Sequence, residues 1–344
     1  MKHLLWSIVL LAGCFELPEN PDEPVVVVAS TVEVTVPTDG LNLEGTLHLP
    51  ERFDGDRVAA VVLVHGSGPN GRDEAAPGQL NMAFGLTVEV FVDLAEALQD
   101  AGYAVLRYDK RTCGPFNGLC SNGYPTPEPD VSVHDFVNDA IAALTWLGAQ
   151  EAVDPAGLAV IGHSQGAEFP PAILDGGYAD LGISLAGPWR DINELIRFQL
   201  DSSVALLEAA GQTPQQIDDA VADLRVMADD LDALAAGTFV GDAIAGAPAA
   251  FWQSWLDVSA DRRAAAPTVA SRLLAVNGDY DWNVPPVELE GWAGAGVETL
   301  EVPCATHALN CISQPDWTAI TPADIGGGVD EAVIDGVLEF LDDL

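Results

Sequence analysis

An apolar run, Gly157-Leu158-Ala159-Val160-Ile161, drives straight into Gly162-His163-Ser164-Gln165-Gly166. A short apolar run bounded by glycines reads as a buried strand. A Gly-x-Ser-x-Gly pentapeptide at its end reads as a sharp, strained turn that lifts the serine hydroxyl above the sheet and opens a helix. The turn leaves no room for side chains beside the serine, which is why glycine stands on both flanks. Ser164 is thus the candidate nucleophile. Glycine and serine are common enough that the pentapeptide also arises by chance, so its surroundings have to carry the assignment.

A serine hydroxyl needs a base to take its proton and an acid to orient that base. On elbows of this kind the three follow one another as Ser, Asp or Glu, His. Of the six histidines, His3, His48, His65 and His134 precede the elbow and His163 lies inside it, which leaves His307 as the base. The segment from Ser271 to Gly278 reads as a late core strand, and the polar turn Asp279-Tyr280-Asp281-Trp282-Asn283 leaves its C-terminal end, where catalytic groups of parallel sheets gather. Asp279 and Asp281 both qualify there, and sequence physics alone does not separate them. For the oxyanion, the strand Ala59–Val64 empties into His65-Gly66-Ser67-Gly68-Pro69; backbone N–H groups of Ser67 and Gln165 are assigned to the hole. Asp279, Asp281, Asn283 and Glu290 also fall on positions of a calcium loop, but Val284 stands where that loop needs glycine for its bend, so no metal is expected.

Around this centre the pattern is that of an α/β chain. Val32–Val36 and Leu41–Leu49 alternate apolar and polar residues about Thr38-Asp39-Gly40, which predicts an antiparallel hairpin at a sheet edge. From Ala59 onward, buried strands alternate with helices whose apolar residues recur at helical spacing: Phe91, Leu94, Ala95 and Leu98; Val137, Ala140, Ile141 and Leu144; Ile334, Leu338 and Leu341. The prediction is a mostly parallel central sheet with helices on both faces. Between the strand ending at Ala186 and the one at Ser271 only helical signals appear. Thr213-Pro214-Gln215-Gln216 is a capping box with proline at the first helical position, followed by the stripe Ile217, Val221, Leu224, Ala228 and Leu231. This insertion, at about 188–266, is expected to be a helical lid over the site. Asp109, Lys110 and Arg111, at a strand end near the site, are read as an ion-paired loop support rather than a substrate clamp. Glu168 is read as a helix-start carboxylate.

The chain opens on Met1-Lys2-His3, a short apolar run from Leu4 to Leu11, and the small residues Ala12 and Gly13, which is the layout of a secretory signal. Residues 1–13 are the expected signal, 14–30 an acidic proline-stiffened tether, and 31–344 the folded domain. Setting Cys14 aside leaves Cys113, Cys120, Cys304 and Cys311, an even number suited to an oxidising compartment, with three possible connectivities of which the two local ones are favoured. Acidic residues number 53 against 13 basic, for a formal charge of −40. Nucleic acid is repelled by such a field, and a salt-adapted surface or a merely solvated acidic one explains it equally well.

Taken together, His65 to Glu74, Tyr108-Asp109-Lys110-Arg111-Thr112, Gly162 to Gly166, Leu185-Ala186-Gly187-Pro188 and the turn from Gly278 to Val284 resemble bacterial α/β-hydrolases grouped with dienelactone hydrolases and with prolyl-oligopeptidase-like or serine-aminopeptidase-like domains. The resemblance covers about Val32 to Leu344. It implies the α/β-hydrolase fold and a cofactor-free serine hydrolase with the triad Ser164, Asp281 and His307, since the spacing Gly278-x-x-Asp281-x-x-Val284 is similar to the acid turn of that group. Leu11-Ala12-Gly13-Cys14 resembles a lipobox, which implies acylation of Cys14 and a lipid-anchored place in a bacterial envelope. Cleavage of small carboxylic esters is the expected activity. A peptidase on the same triad, and a silent binding module on the same fold, stand as the alternatives.

Overall fold

Nine residues of alternating character on each side of a tight turn make the outermost hairpin. In the computed structural model, which describes residues 25–75, 88–113, 120, 131–313 and 327–344, strand β1 (Ser30–Thr38) pairs antiparallel with β2 (Leu41–Leu49) through a turn at Asp39-Gly40. Gly40 has φ +73°, a conformation glycine adopts without penalty. The hairpin forms the edge of an eight-stranded sheet completed by β3 (Val58–Val64), β4 (Ala104–Tyr108), β5 (Val153–His163), β6 (Leu181–Leu185), β7 (Leu273–Gly278) and β8 (Glu298–Val302). The spatial order is β8-β7-β6-β5-β3-β4-β2-β1. All pairs from β4 to β8 are parallel, and β2 joins β4 antiparallel.

The inner parallel strands are largely apolar and buried because both their faces are covered, whereas β8 at the sheet edge is mostly exposed. Along β3, Val61 and Leu63 pack into one core while Ala60, Val62 and Val64 pack into the other. The first core is closed by α1 (Val90–Asp100) and α8 (Glu331–Leu341), through Phe91, Leu94, Val333 and Val337. The second is closed by α2 (Val133–Gly148) and α3 (Pro170–Asp175), together with the helices of the insertion, while α7 (Glu288–Gly294) adds Leu289 and Trp292. Each fully buried large apolar side chain contributes about 1.5–3 kcal/mol. Periodicity located these faces without always finding their centres. On α8 the most buried residues are Val333, Val337 and Leu341, with Ile334 and Leu338 at the margin; on α2, Phe136, Ala143 and Leu147 are buried while Val137 and Ile141 are half-buried.

Three helices fill the connection from β6 to β7: α4 (Ile192–Ala209), α5 (Pro214–Ala235) and α6 (Ala249–Val269). Thr213 caps α5 through a reciprocal box with Gln216, and Ile217, Val221, Ala228 and Leu231 form its buried stripe. A two-residue ribbon, Ala243–Ile244 with Ala247–Pro248, interrupts the insertion; its Ala-Gly turn is too short to give a strand signal. The tether expected over 14–30 also differs at its end, since Val26 and Val27 pair antiparallel with Phe53 and Arg52. The expected signal over residues 1–13 and Cys14 lie outside the described residues.

Candidate active site

The chain runs from β3 outward to β4, then returns to β5 on the other side of β3. Such a reversal opens a crevice at the carboxyl ends of the two central strands. His65-Gly66-Ser67 leaves β3 there, and Ser164 leaves β5. Ser164 has φ +56°, the strained backbone of a nucleophile elbow. The glycines are demanded by contact: a Cβ on Gly162 would lie 2.0 Å from the Gly166 carbonyl oxygen, and one on Gly166 would lie 2.3 Å from that of Val64. A Cβ on Gly66 would press on both Glu74 Oε1 (2.8 Å) and Ser164 Cβ (3.0 Å).

Ser164 Oγ lies 3.0 Å from His307 Nε2, and His307 Nδ1 lies 2.7 Å from Asp281 Oδ2. The carboxylate fixes the tautomer: Nδ1–H donates to Asp281, which leaves the Nε2 lone pair facing the serine hydroxyl. Asp281 is buried, and its other oxygen accepts the N–H groups of Asn283 (2.9 Å) and Val284 (2.8 Å). Asp279 is engaged elsewhere, accepting the Cys304 N–H at 2.6 Å. The structure thus separates the two acids that the turn left equivalent. Cys304 pairs with Cys311 and Cys113 with Cys120, Cα atoms 4.8 and 5.9 Å apart, so both local connectivities form. The first of them brackets the loop that carries His307.

A cavity of about 290 Å³ opens on the serine. Ser67 and Gln165 stand in its wall beside Ser164 and His307, and the roof comes from the insertion: Ile192, Leu195 and Ile196 of α4, Met227 of α5, Trp252 and Trp255 of α6. The two tryptophan rings are parallel, with centroids 5.7 Å apart. The described wall residues carry no carboxylate, lysine or arginine.

Several buried polar residues hold this site together in roles that the sequence did not assign to them. Glu74 Oε1 accepts both the Gly66 N–H (2.6 Å) and His163 Nδ1–H (3.1 Å). His163 Nε2 lies 2.8 Å from the backbone oxygen of His307. Both neighbours of the ring are acceptors, so His163 fills both contacts as a donor only in its protonated form. Burial opposes that charge, but the Glu74 carboxylate and the His307 carbonyl outweigh it and raise His163 above its usual value. For Glu74, too, burial is outweighed, by His163, and its carboxyl is held below the usual range. The Asp109–Arg111 run divides its roles: Asp109 pairs with Arg72 (2.8 Å) and Arg111 with Asp139 (2.7 Å), the expected loop support, whereas Lys110 turns inward to Gly66 and Gln165. Glu168 differs from its reading as a helix-start carboxylate. It is buried and accepts Trp255 Nε1–H (2.6 Å), Ser259 Oγ–H (2.7 Å) and Arg262 Nη1–H (2.5 Å), all from α6. A partner nearly a hundred residues away leaves no trace in local sequence.

Residues 61–320 match the alpha/beta hydrolase family. Over 186 residues the chain is 33% identical to esterase EstD of Thermotoga maritima, a stretch that covers 54% of this chain and 38% of that one. The chain therefore spans well under half the length of this relative. Among solved structures, Est1E from Butyrivibrio proteoclasticus superposes with a TM-score of 0.52 at 15% identity, covering 90% of this chain and 98% of the other. The acylaminoacyl peptidase of Pyrococcus horikoshii superposes with a TM-score of 0.50 at 13% identity, over 92% of this chain and 42% of its own. At these identities the superpositions speak for the fold alone.

Proposed function

Because the chain belongs to the alpha/beta hydrolase family, we propose that it is a serine hydrolase that cleaves small carboxylic esters through an acyl-enzyme. The observation that carries this reading is the relay from Ser164 Oγ through His307 to Asp281, at 3.0 and 2.7 Å, opening into a cavity with a largely apolar roof. His307 Nε2 takes the hydroxyl proton as Ser164 Oγ attacks the ester carbonyl. Asp281 steadies the imidazolium that forms, and its two backbone N–H bonds keep it aimed at Nδ1. The Ser67 and Gln165 amides receive the oxyanion; a single donor of this kind is worth about 10²–10³ in kcat. His307 then gives its proton to the leaving alcohol, and a water repeats the sequence on the acyl-enzyme.

The cavity favours esters over peptides with a free amino terminus, because none of its described wall residues offers a carboxylate to an ammonium group. At about 290 Å³ it sits at the lower end of the roughly 300–1,000 Å³ of small-molecule sites, which favours short acyl chains. The likeness to a protein named an esterase supports the same choice. The test is turnover of p-nitrophenyl acetate, butyrate and decanoate beside aminoacyl- and Gly-Pro-p-nitroanilides, with Ser164→Ala as control. Butyrate cleavage is expected to exceed decanoate cleavage, and Ser164→Ala to lower kcat by a factor on the order of 10⁶. Anilide cleavage would make the protein a peptidase; silence on every substrate, with no fluorophosphonate on Ser164, would leave a binding module.

A further inference from the structure

Apart from Lys2, Lys110 is the chain's only lysine. It follows β4, is 4% exposed, and packs its ammonium 4.2 Å from the centre of the Phe136 ring. Its acceptors are neutral amide oxygens: the Gly66 carbonyl at 2.6 Å and Gln165 Oε1 at 2.9 Å. In a chain with 53 acidic residues an exposed lysine would have had many carboxylates within reach. Burying an ammonium costs several kcal/mol, and here its hydrogen bonds fall on the two segments assigned to the oxyanion hole.

The geometry of one peptide group gives that position its meaning. The Gly66 carbonyl and the Ser67 N–H belong to the same planar trans amide, so they point in opposite directions. A cation fixed on the carbonyl oxygen therefore aims the N–H away from itself and draws electron density from the amide, which strengthens the N–H as a donor. Asn70 Nδ2 donates to the same oxygen at 3.1 Å and to the Ser67 oxygen at 3.0 Å, and Glu74 holds the Gly66 N–H. The loop is pinned on every side. Gln165 Oε1 accepts a second hydrogen bond from the ammonium, which ties down the residue whose own backbone N–H is the other assigned donor.

We propose that Lys110 is a positioning residue for the oxyanion hole, its ammonium aiming and polarising the Ser67 N–H and anchoring Gln165 behind the point where negative charge develops on the substrate. The proposal rests on the serine-hydrolase reading above. Burial brings the ammonium down to about 7, against the opposing pull of Glu74 and Asp139. The other charged or titratable groups around it are Asp109, Arg111 and Tyr108 near its own strand end, His65 after β3, and His163 across Glu74. Below pH 7 the folded protein carries the full cost of the buried cation, because the lysine binds fewer protons folded than unfolded only between about 7 and 10.5.

The test compares wild type with Lys110→Met and Lys110→Gln in the full chain, measuring kcat and KM on p-nitrophenyl butyrate, the Ki of n-butylboronic acid, and Tm. Lys110→Met is expected to lose about 10- to 100-fold in kcat with KM within about twofold, to bind the boronate, a tetrahedral mimic, more weakly by the same factor, and to unfold at the same or a higher temperature. Wild-type kcat is expected to drop to a lower plateau as pH rises through the lysine's titration, and the variants to lack that step. A kcat within about threefold of wild type, or a loss shared equally by KM and accompanied by a lower Tm, would overturn the proposal. If neither variant folds, a wild-type kcat that holds level from pH 6 to pH 10 overturns it as well. A wild type that neither turns over esters nor takes fluorophosphonate on Ser164 brings down the hydrolase reading, and this proposal with it; turnover and labelling with unaffected Lys110 variants bring down this proposal alone.

Discussion

His163 occupies a variable position of the elbow pentapeptide, yet its ring bridges Glu74 and the backbone of His307. Its pKa is raised in the folded state, so the stability it contributes is fully present below pH 6.5 and fades as the pH passes upward through the folded value. The gap in Tm between wild type and His163→Gln is accordingly expected to be widest near pH 5.5 and to shrink toward pH 9, read by thermal denaturation at several pH values. A gap independent of pH would mean that the ring acts through shape alone. Chain order singled out His307 because a base must follow the elbow, and the same filter discarded His163, whose partners at 74 and 307 lie far from it in sequence. Ser164 was legible because its constraint is local: glycines at 162 and 166 answer steric contacts within five residues and one neighbouring strand.

Helix α6 shows what happens when the constraint is not local. Its apolar residues have little periodicity, and its position is set by a charged group: Arg262, fully buried, donates to Glu168 at the end of the elbow turn and to the carbonyls of Pro188 (2.7 Å) and Trp189. Burial pushes the Glu168 carboxyl up and the Arg262 guanidinium down, so the pair survives only because each partner is present. Removing one leaves an uncompensated buried charge, a loss of roughly 3–5 kcal/mol. Arg262→Met is expected to lower the urea midpoint accordingly, and the double variant with Glu168→Gln to lose less than the sum of the singles. Strict additivity would show that the two groups do not act as a pair. Since Trp255 bonds to Glu168 and also faces the cavity, the same anchor sets the roof above Ser164. Helix α5, by contrast, was readable to its first residue, because the Thr213 cap and the stripe from Ile217 to Leu231 are properties of consecutive residues.

Over the whole molecule the formal charge of −40 means that folding gathers like charges that the unfolded chain holds apart. Screening relieves that repulsion, as the Debye length falls from about 30 Å at 0.01 M to about 3 Å at 1 M salt. The Tm is expected to rise steadily with sodium chloride from 0.01 to 1 M, measured by differential scanning fluorimetry; a flat or falling curve would mean that the acidic residues are spaced widely enough not to interact. The edge hairpin, the alternation of strands and helices from Ala59, the elbow and the candidate order Ser, acid, His could be read from the sequence, because each is written in short-range periodicity, in steric demands on glycine or in chain direction; the short helices α3 and α7 and the strand β8 are too short or too exposed to leave such a pattern. The resemblance already pointed to Asp281 and proximity to the local cysteine pairs, but the bridge made by His163, the anchor at Glu168 and the inward turn of Lys110 were decided only in the folded chain. Each depends on which distant groups share a low-dielectric interior, and only the packing of the sheet and its helices brings those groups together.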